Sequence, residues 1–230
     1  MIKFILWRLR MKNLKTTIYP NKGFTLVEMA IVLAIVALLL GGLLPVISGQ
    51  IEQQHRNETR KYMDEVRDAL LGYVVAKKYL PCPDTDNDGL QNAPCTAAAF
   101  SVGKLPYKDL GVSDKDAYGN QLRYAITKEF ADQTPASLFK LSNVGILRVC
   151  SNATCTPATN ILTSGAVAVI VSQGANWPRP AEFSAEEIEN DNTNADFVSK
   201  DLVQNGYDDL VVWLSPNILF NRMVAAGQLP

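Results

Sequence analysis

The chain has 230 residues, 47% hydrophobic and 20% charged, a composition that fits one or two ordinary domains and argues against disorder. Its formal charge of -1 conceals an asymmetry: Lys3, Arg8, Arg10, Lys12, Lys15 and Lys22 precede Gly23 without one acid, so the rest carries 16 basic against 23 acidic residues, a net of -7. An acidic body repels phosphate and is a poor nucleic-acid binder. The single histidine, His55, is too little for a histidine metal cluster or a histidine-dependent triad, so a soluble cytosolic enzyme is a poor first guess.

In chain order, the first informative stretch is Lys22-Gly23-Phe24-Thr25-Leu26-Val27-Glu28, followed by an uncharged run from Met29 to Ile47. With Phe24 to Val27 in front, that run supplies the roughly 20 apolar positions a helix needs to cross a hydrocarbon core. Every nearby basic residue lies before it, which predicts a cytoplasmic N-terminus and export of the remaining chain. A secretory signal peptide is the competing reading, but its apolar region is usually about 7–15 residues long, shorter than this one. A plain signal anchor is the second alternative.

These residues resemble the leader and N-terminus of type IV prepilins and of the pseudopilins of type II secretion: a small residue before the cut, an aromatic one after it, then a glutamate and an apolar helix. The resemblance implies cleavage by a prepilin peptidase between Gly23 and Phe24, N-methylation of Phe24, and Glu28 as the fifth residue of the mature chain. Translation from Met11 instead of Met1 would leave a thirteen-residue leader, Met11 to Gly23, and the same mature protein.

A carboxylate in hydrocarbon costs about 2.5–3.5 kcal/mol on insertion scales, so an intramembrane acid is by default functional. The resemblance supplies a partner, the amine of Phe24 on a neighbouring subunit. Such pairing sets register, because only one axial offset relieves an unpaired buried charge. Snorkelling of Glu28 to the interface is the alternative. Gly41-Gly42 and Pro45 predict a kink or local unwinding, since proline removes a donor and clashes with the preceding turn.

From Ser48 to about Tyr79 the pattern is amphipathic, with Ile51, Tyr62, Val66, Ala69, Leu70 and Tyr73 as the apolar set. A helix unbroken from Phe24 to Tyr79 would be about 84 Å long. His55 on it reads as a surface or interfacial polar residue. The expected divisions are a cleaved leader over 1–23, a transmembrane and filament-core helix over 24–47, its amphipathic continuation over 48–80, and a globular head over 81–230.

Pro81-Cys82-Pro83 ends the helix. Strands are predicted over Gln121–Thr127, Leu138–Ser142, Gly145–Cys150, Ala166–Ser172 and Asp209–Leu214. Ser215-Pro216 predicts the start of a helix running to Gly227. The fold class expected is α+β: a long N-terminal helix on an antiparallel head sheet, type IV pilin-like.

Cys82, Cys95, Cys150 and Cys155 form two local pairs. In an oxidising compartment Cys82–Cys95 and Cys150–Cys155 are the economical bonds, though four cysteines allow three connectivities. Zinc is the alternative, without CxxC spacing in either pair. Between the first two cysteines, Asp84, Asp86 and Asp88 alternate before Gly89, as in a calcium loop. Position twelve is Cys95 instead of glutamate, so a solvated acidic turn competes with a structural calcium site. Glu189, Asp191, Asp196, Asp208 and Asp209 are a second set of acids that could converge.

Asp116-Ala117-Tyr118-Gly119-Asn120 resembles the Asp-x-aromatic-Gly-Asn turn of pseudopilins, and Asp208-Asp209-Leu210-Val211-Val212-Trp213 resembles a late strand of minor pilin-like proteins. An Asp turn before an ordinary strand explains both as well.

The function expected from the resemblance is a structural subunit, a minor pilin or a pseudopilin. It is held in the bacterial inner membrane with its head in the periplasm and then assembled into a pilus or pseudopilus. Its partners are other pilin subunits, the prepilin peptidase, an inner-membrane assembly platform and, before assembly, lipid. No catalytic residues and no required cofactor are expected. The alternative is a membrane-anchored periplasmic binding module or enzyme, which needs a nucleophile with a base or a metal cluster.

Overall fold

A computed structural model describes residues 23–95, 99–131, 140–178, 183–203 and 206–229; the side chains of 42–48 are outside it. The leader up to Lys22, with both candidate start codons, therefore lies outside the described residues. The chain is α+β and divides into two compact units, Met1–Ser48 and Gly49–Pro230.

Helix α1 spans Leu26–Lys77 and contributes to both units. The helix continues through Gly41, Gly42 and Pro45, so no unwound turn interrupts it. The bend expected at Pro45 concerns 42–48, whose side chains are not described. Among the described residues no helix is long and apolar enough to cross a membrane; the uncharged run from Met29 to Ile47 extends into 42–48.

In the second unit the buried face of α1 is Arg56, Thr59, Met63, Val66, Leu70 and Val74, spaced by three or four as a helix on a core requires. Ile51, expected on that face, is 49% exposed. Arg56 and Thr59 take the buried positions because the head offers them partners. Arg56 Nη1 donates to the carbonyl of Asp208 at 2.9 Å, and Thr59 Oγ1 accepts from the Ala117 N–H at 3.3 Å.

The head is built from β1 (Phe100–Lys104), a short α2 (Tyr107–Leu110), β2 (Arg123–Thr127), β3 (Leu147–Cys150), β4 (Ile161–Ala166), β5 (Ala168–Ser172), α3 (Ala185–Asp191), β6 (Asp196–Val198), β7 (Leu210–Leu214) and α4 (Pro216–Ala225). One sheet has the order β1-β2-β5-β7, antiparallel throughout. A second has the order β4-β3-β6, in which β3 and β6 run parallel. The run expected as one strand over 166–172 is two: Ala166 ends β4 in one sheet and Ala168 begins β5 in the other, with Val167 at the corner. Within the expected strand 138–142, Leu141 and Ser142 form a turn closed by the Asn143 N–H on the carbonyl of Lys140 at 2.9 Å; residues 138 and 139 are outside the described set.

Alternation in the four-stranded sheet produces two cores. Tyr124, Ile126, Ile170 and Leu214 meet the α1 residues together with Leu219 and Met223 of α4. Ala125, Val169 and Val171 meet Leu147, Val149, Ala166 and Phe197 of the second sheet. Ser215 caps α4, its side chain accepting from the Ile218 N–H, with Pro216 in the first turn. Disulfides join Cys82 to Cys95 (S–S 2.01 Å) and Cys150 to Cys155 (2.07 Å).

Candidate functional site: the N-terminal motif and the head carboxylates

Gly23 and Phe24 precede α1, and both are exposed. Every large apolar side chain from Phe24 to Leu40 is between 43% and 86% exposed. An apolar surface that continuous marks contact with lipid or with other protein. At its start Thr25 and Glu28 bond reciprocally. The Thr25 N–H donates to Glu28 Oε2 at 2.8 Å, its hydroxyl donates to the same oxygen at 2.9 Å, and the Glu28 N–H donates to Thr25 Oγ1 at 3.2 Å. This is a capping box, which satisfies donors that a helix start otherwise leaves without acceptors. Its signal in the sequence is Thr-x-x-Glu ahead of an apolar run, which a reading of Glu28 purely as an intramembrane ion-pair partner overlooks.

Asp84, Asp86 and Asp88 converge, with one oxygen of each within 4.8 Å of the others. Asp84 is buried. Its Oδ1 accepts from the N–H groups of Asp86 (3.1 Å) and Asn87 (2.7 Å), and its Oδ2 from that of Gly89 (2.8 Å). Asp86 Oδ2 accepts from Asn92 Nδ2 at 3.0 Å, which holds its carboxyl below the ordinary carboxylate range. Asp88 Oδ1 takes the Leu90 N–H at 2.7 Å. The loop between Cys82 and Cys95 is thus organised by carboxylates acting on its own backbone, the mechanism of an Asx turn. Gly89 stands at φ 83°, and a Cβ there would fall 2.5 Å from the Tyr107 ring, so a side chain would be both strained and obstructed.

The second set of acids, Glu189, Asp191, Asp196, Asp208 and Asp209, does not gather as one. Asp191 pairs with Arg123 Nη1 at 2.8 Å, Asp196 pairs with Arg148, and Glu189 accepts from Asn192 and Asn194. Asp208 and Asp209 converge instead with Glu187, all three buried, one oxygen of each within 4.8 Å. Glu187 is placed by a capping box with Ser184 at the start of α3, and its Oε1 also accepts from the Asp208 N–H at 2.8 Å and from Asn176 Nδ2 at 3.1 Å. Asp208 Oδ2 accepts from the N–H groups of Ala175 (2.9 Å) and Asn176 (3.1 Å), while its Oδ1 is buried with no hydrogen-bond partner among the described residues. Asp209 Oδ2 accepts from Asn190 Nδ2 at 2.8 Å. Burial pushes Asp208 up to about 6 and Asp209 up to about 8, with nearby Glu187 adding in the same direction.

Asp116 organises the other aspartate turn. Its Oδ1 accepts from the N–H groups of Tyr118 (3.0 Å) and Asn120 (2.9 Å), and its Oδ2 from Ser172 Oγ at 2.6 Å. Gly119 there has φ 83°. His55 rests edge-on against Tyr118, 5.5 Å between centroids.

The family described as the prokaryotic N-terminal methylation motif matches residues 19–44. No curated protein and no solved structure matches the chain. The motif implies processing by a peptidase and assembly with other pilin subunits, and it is a motif of structural pilin-type proteins. The match at residues 19–44, joined to an N-terminal helix ahead of an antiparallel sheet, supports a type IV prepilin-like family for this chain.

Proposed function

We propose that the chain is a minor pilin or pseudopilin, cleaved between Gly23 and Phe24, N-methylated on Phe24, and assembled through its N-terminal helix into a type IV pilus-like filament or a type II secretion pseudopilus. The methylation motif over residues 19–44 carries this reading. The continuous exposed apolar surface from Phe24 to Leu40 supports it, because such a surface needs lipid before assembly and neighbouring helices after it. The N-terminus is then cytoplasmic and the head periplasmic, an oxidising location that suits two disulfides. Glu28 serves as the register-setting acid against the amine of a neighbouring Phe24.

Intact mass of the exported protein tests the reading. A chain beginning at Phe24, heavier by one methyl group and lighter by the hydrogens of four thiols, is expected. Recovery of a native chain that still bears Lys22, or one that begins beyond Ile47, overturns it.

A further inference from the structure

The antiparallel pairing of β1, β2 and β5 brings the end of β1, the start of β2 and the residue after β5 to one end of the sheet. Lys104 stands opposite Arg123, and Arg123 opposite Val171. A cleft of about 330 Å³ opens there, lined by Lys104, Lys115, Gln121, Arg123, Gln173, Trp177 and Asp191 among others. Three cations face one carboxylate in it, although the chain beyond Gly23 is acidic by seven charges, 16 basic against 23 acidic residues.

The lone carboxylate is already engaged, since Asp191 Oδ1 accepts from Arg123 Nη1 at 2.8 Å and from Gln173 Nε2 at 2.9 Å. Arg123 Nε is a buried donor with no acceptor among the described residues. Lys104 Nζ meets only a neutral acceptor, Gln121 Oε1, at 2.6 Å, and exposed Lys115 makes no ion pair among the described residues. Among the described residues that line it, the cleft therefore holds two more cations than carboxylates, set among carboxamides with an indole in its wall. Trp177 also lines the apolar hollow next to it with Phe183 and Ile188, and its ring stacks on Phe183 at 5.6 Å.

We propose that this cleft binds an acidic saccharide. The carboxylate of a uronate unit meets Lys104 and Lys115, the sugar hydroxyls exchange hydrogen bonds with Gln121, and a sugar C–H face lies against Trp177. The volume is about ten times that of one water molecule, so a lone inorganic anion leaves most of it unfilled, whereas a sugar unit fits the size range of ligand pockets. An extended peptide is disfavoured because the outer edge of β1 is already taken at this end. Asp84 and Lys104 exchange both backbone hydrogen bonds, at 2.9 and 2.8 Å. The proposal goes beyond filament assembly and holds whether or not the chain enters a filament.

The test titrates the full processed chain in detergent micelles, by calorimetry and tryptophan fluorescence, with a galacturonate oligomer, a neutral galactose oligomer of the same length, and inorganic phosphate. The uronate oligomer is expected to bind at least about tenfold more tightly than either alternative. Lys115→Glu is expected to weaken it by about tenfold or more, and Trp177→Ala to weaken it as well, while Lys61→Glu, far along α1 in sequence and 81% exposed at its side chain, leaves it unchanged. Lys115 is exposed, so its variant keeps the wild-type melting temperature. Equal binding of the neutral oligomer, phosphate binding as tight as the uronate, indifference to Lys115→Glu, or no binding at millimolar oligomer each overturns the proposal.

Discussion

Thr25 and Glu28 close the first turn of α1 on each other, each supplying an acceptor for the other's backbone N–H. In a single subunit the carboxylate at the head of the apolar helix therefore already has work, and pairing with a neighbour's amine must draw on the same oxygen, Oε2, or on Oε1. Capping needs only an acceptor, whereas ion pairing needs charge.

That distinction separates two variants. Glu28→Gln retains an acceptor for the Thr25 N–H and preserves the helix start, yet it is expected to abolish filament incorporation as fully as Glu28→Ala does. The measurement is the fraction of head recovered in sheared filaments, with membrane-inserted protein as control. Full incorporation of Glu28→Gln would show that the cap alone is what the glutamate provides.

Asp208 and Asp209 set an inverted pH dependence. Their folded pKa values, about 6 and about 8, stand above the ordinary carboxylate value because burial penalises the ionised form, with Glu187 and Asp191 adding negative charge around Asp209. A raised folded pKa contributes stability that is complete below the unfolded value near 4 and is lost as pH rises through the folded one. The chain is expected to melt several degrees lower at pH 8.5 than at pH 5 in a chelator-containing buffer. Asp209→Asn, which keeps an acceptor for Asn190, is expected to remove most of that slope between pH 6 and 9 and to raise the melting temperature at pH 8.5.

Asp84 accepts from three backbone N–H groups while buried. Asp84→Ala strands those donors and is expected to cost on the order of 3 kcal/mol. The loss is expected with and without a calcium chelator, read from denaturant unfolding. A wild-type chain that loses the same stability on chelation alone would assign the loop to a bound cation.

Cys82–Cys95 closes a separation of 13 residues with both cysteines buried. The double replacement Cys82→Ser, Cys95→Ser is expected to lose about 3 kcal/mol on the chain-entropy argument. Cys150–Cys155, with a separation of 5, constrains the unfolded chain less and is expected to contribute less in the same unfolding assay.

The helix starting near Phe24, the strands β2, β3, β5 and β7 to within a few residues, and the Ser215-Pro216 helix start are legible because each is written in local pattern: an apolar run, alternation, a cap. The parts that are not legible have physical reasons. Arg56 and Thr59 lie on the buried face of α1, and apolar periodicity cannot find polar residues whose partners come from distant segments. Only three residues form β6, and its parallel pairing to β3 is set by packing around Phe197 rather than by any turn. The continuous Val-rich run over 166–172 conceals a change of sheet at Val167. Glu187 is hidden among its acidic neighbours Glu189 and Asp191, although Ser184-x-x-Glu187 announces a cap, and that cap is what carries Glu187 to Asp208.

The bond from Arg56 to the carbonyl of Asp208 spans 152 positions of sequence. The guanidinium comes early in the chain and its acceptor late, so that turn of α1 stays without its clasp until most of the polypeptide has been made. A chain cut short before Asp208 leaves the Arg56 guanidinium without that acceptor.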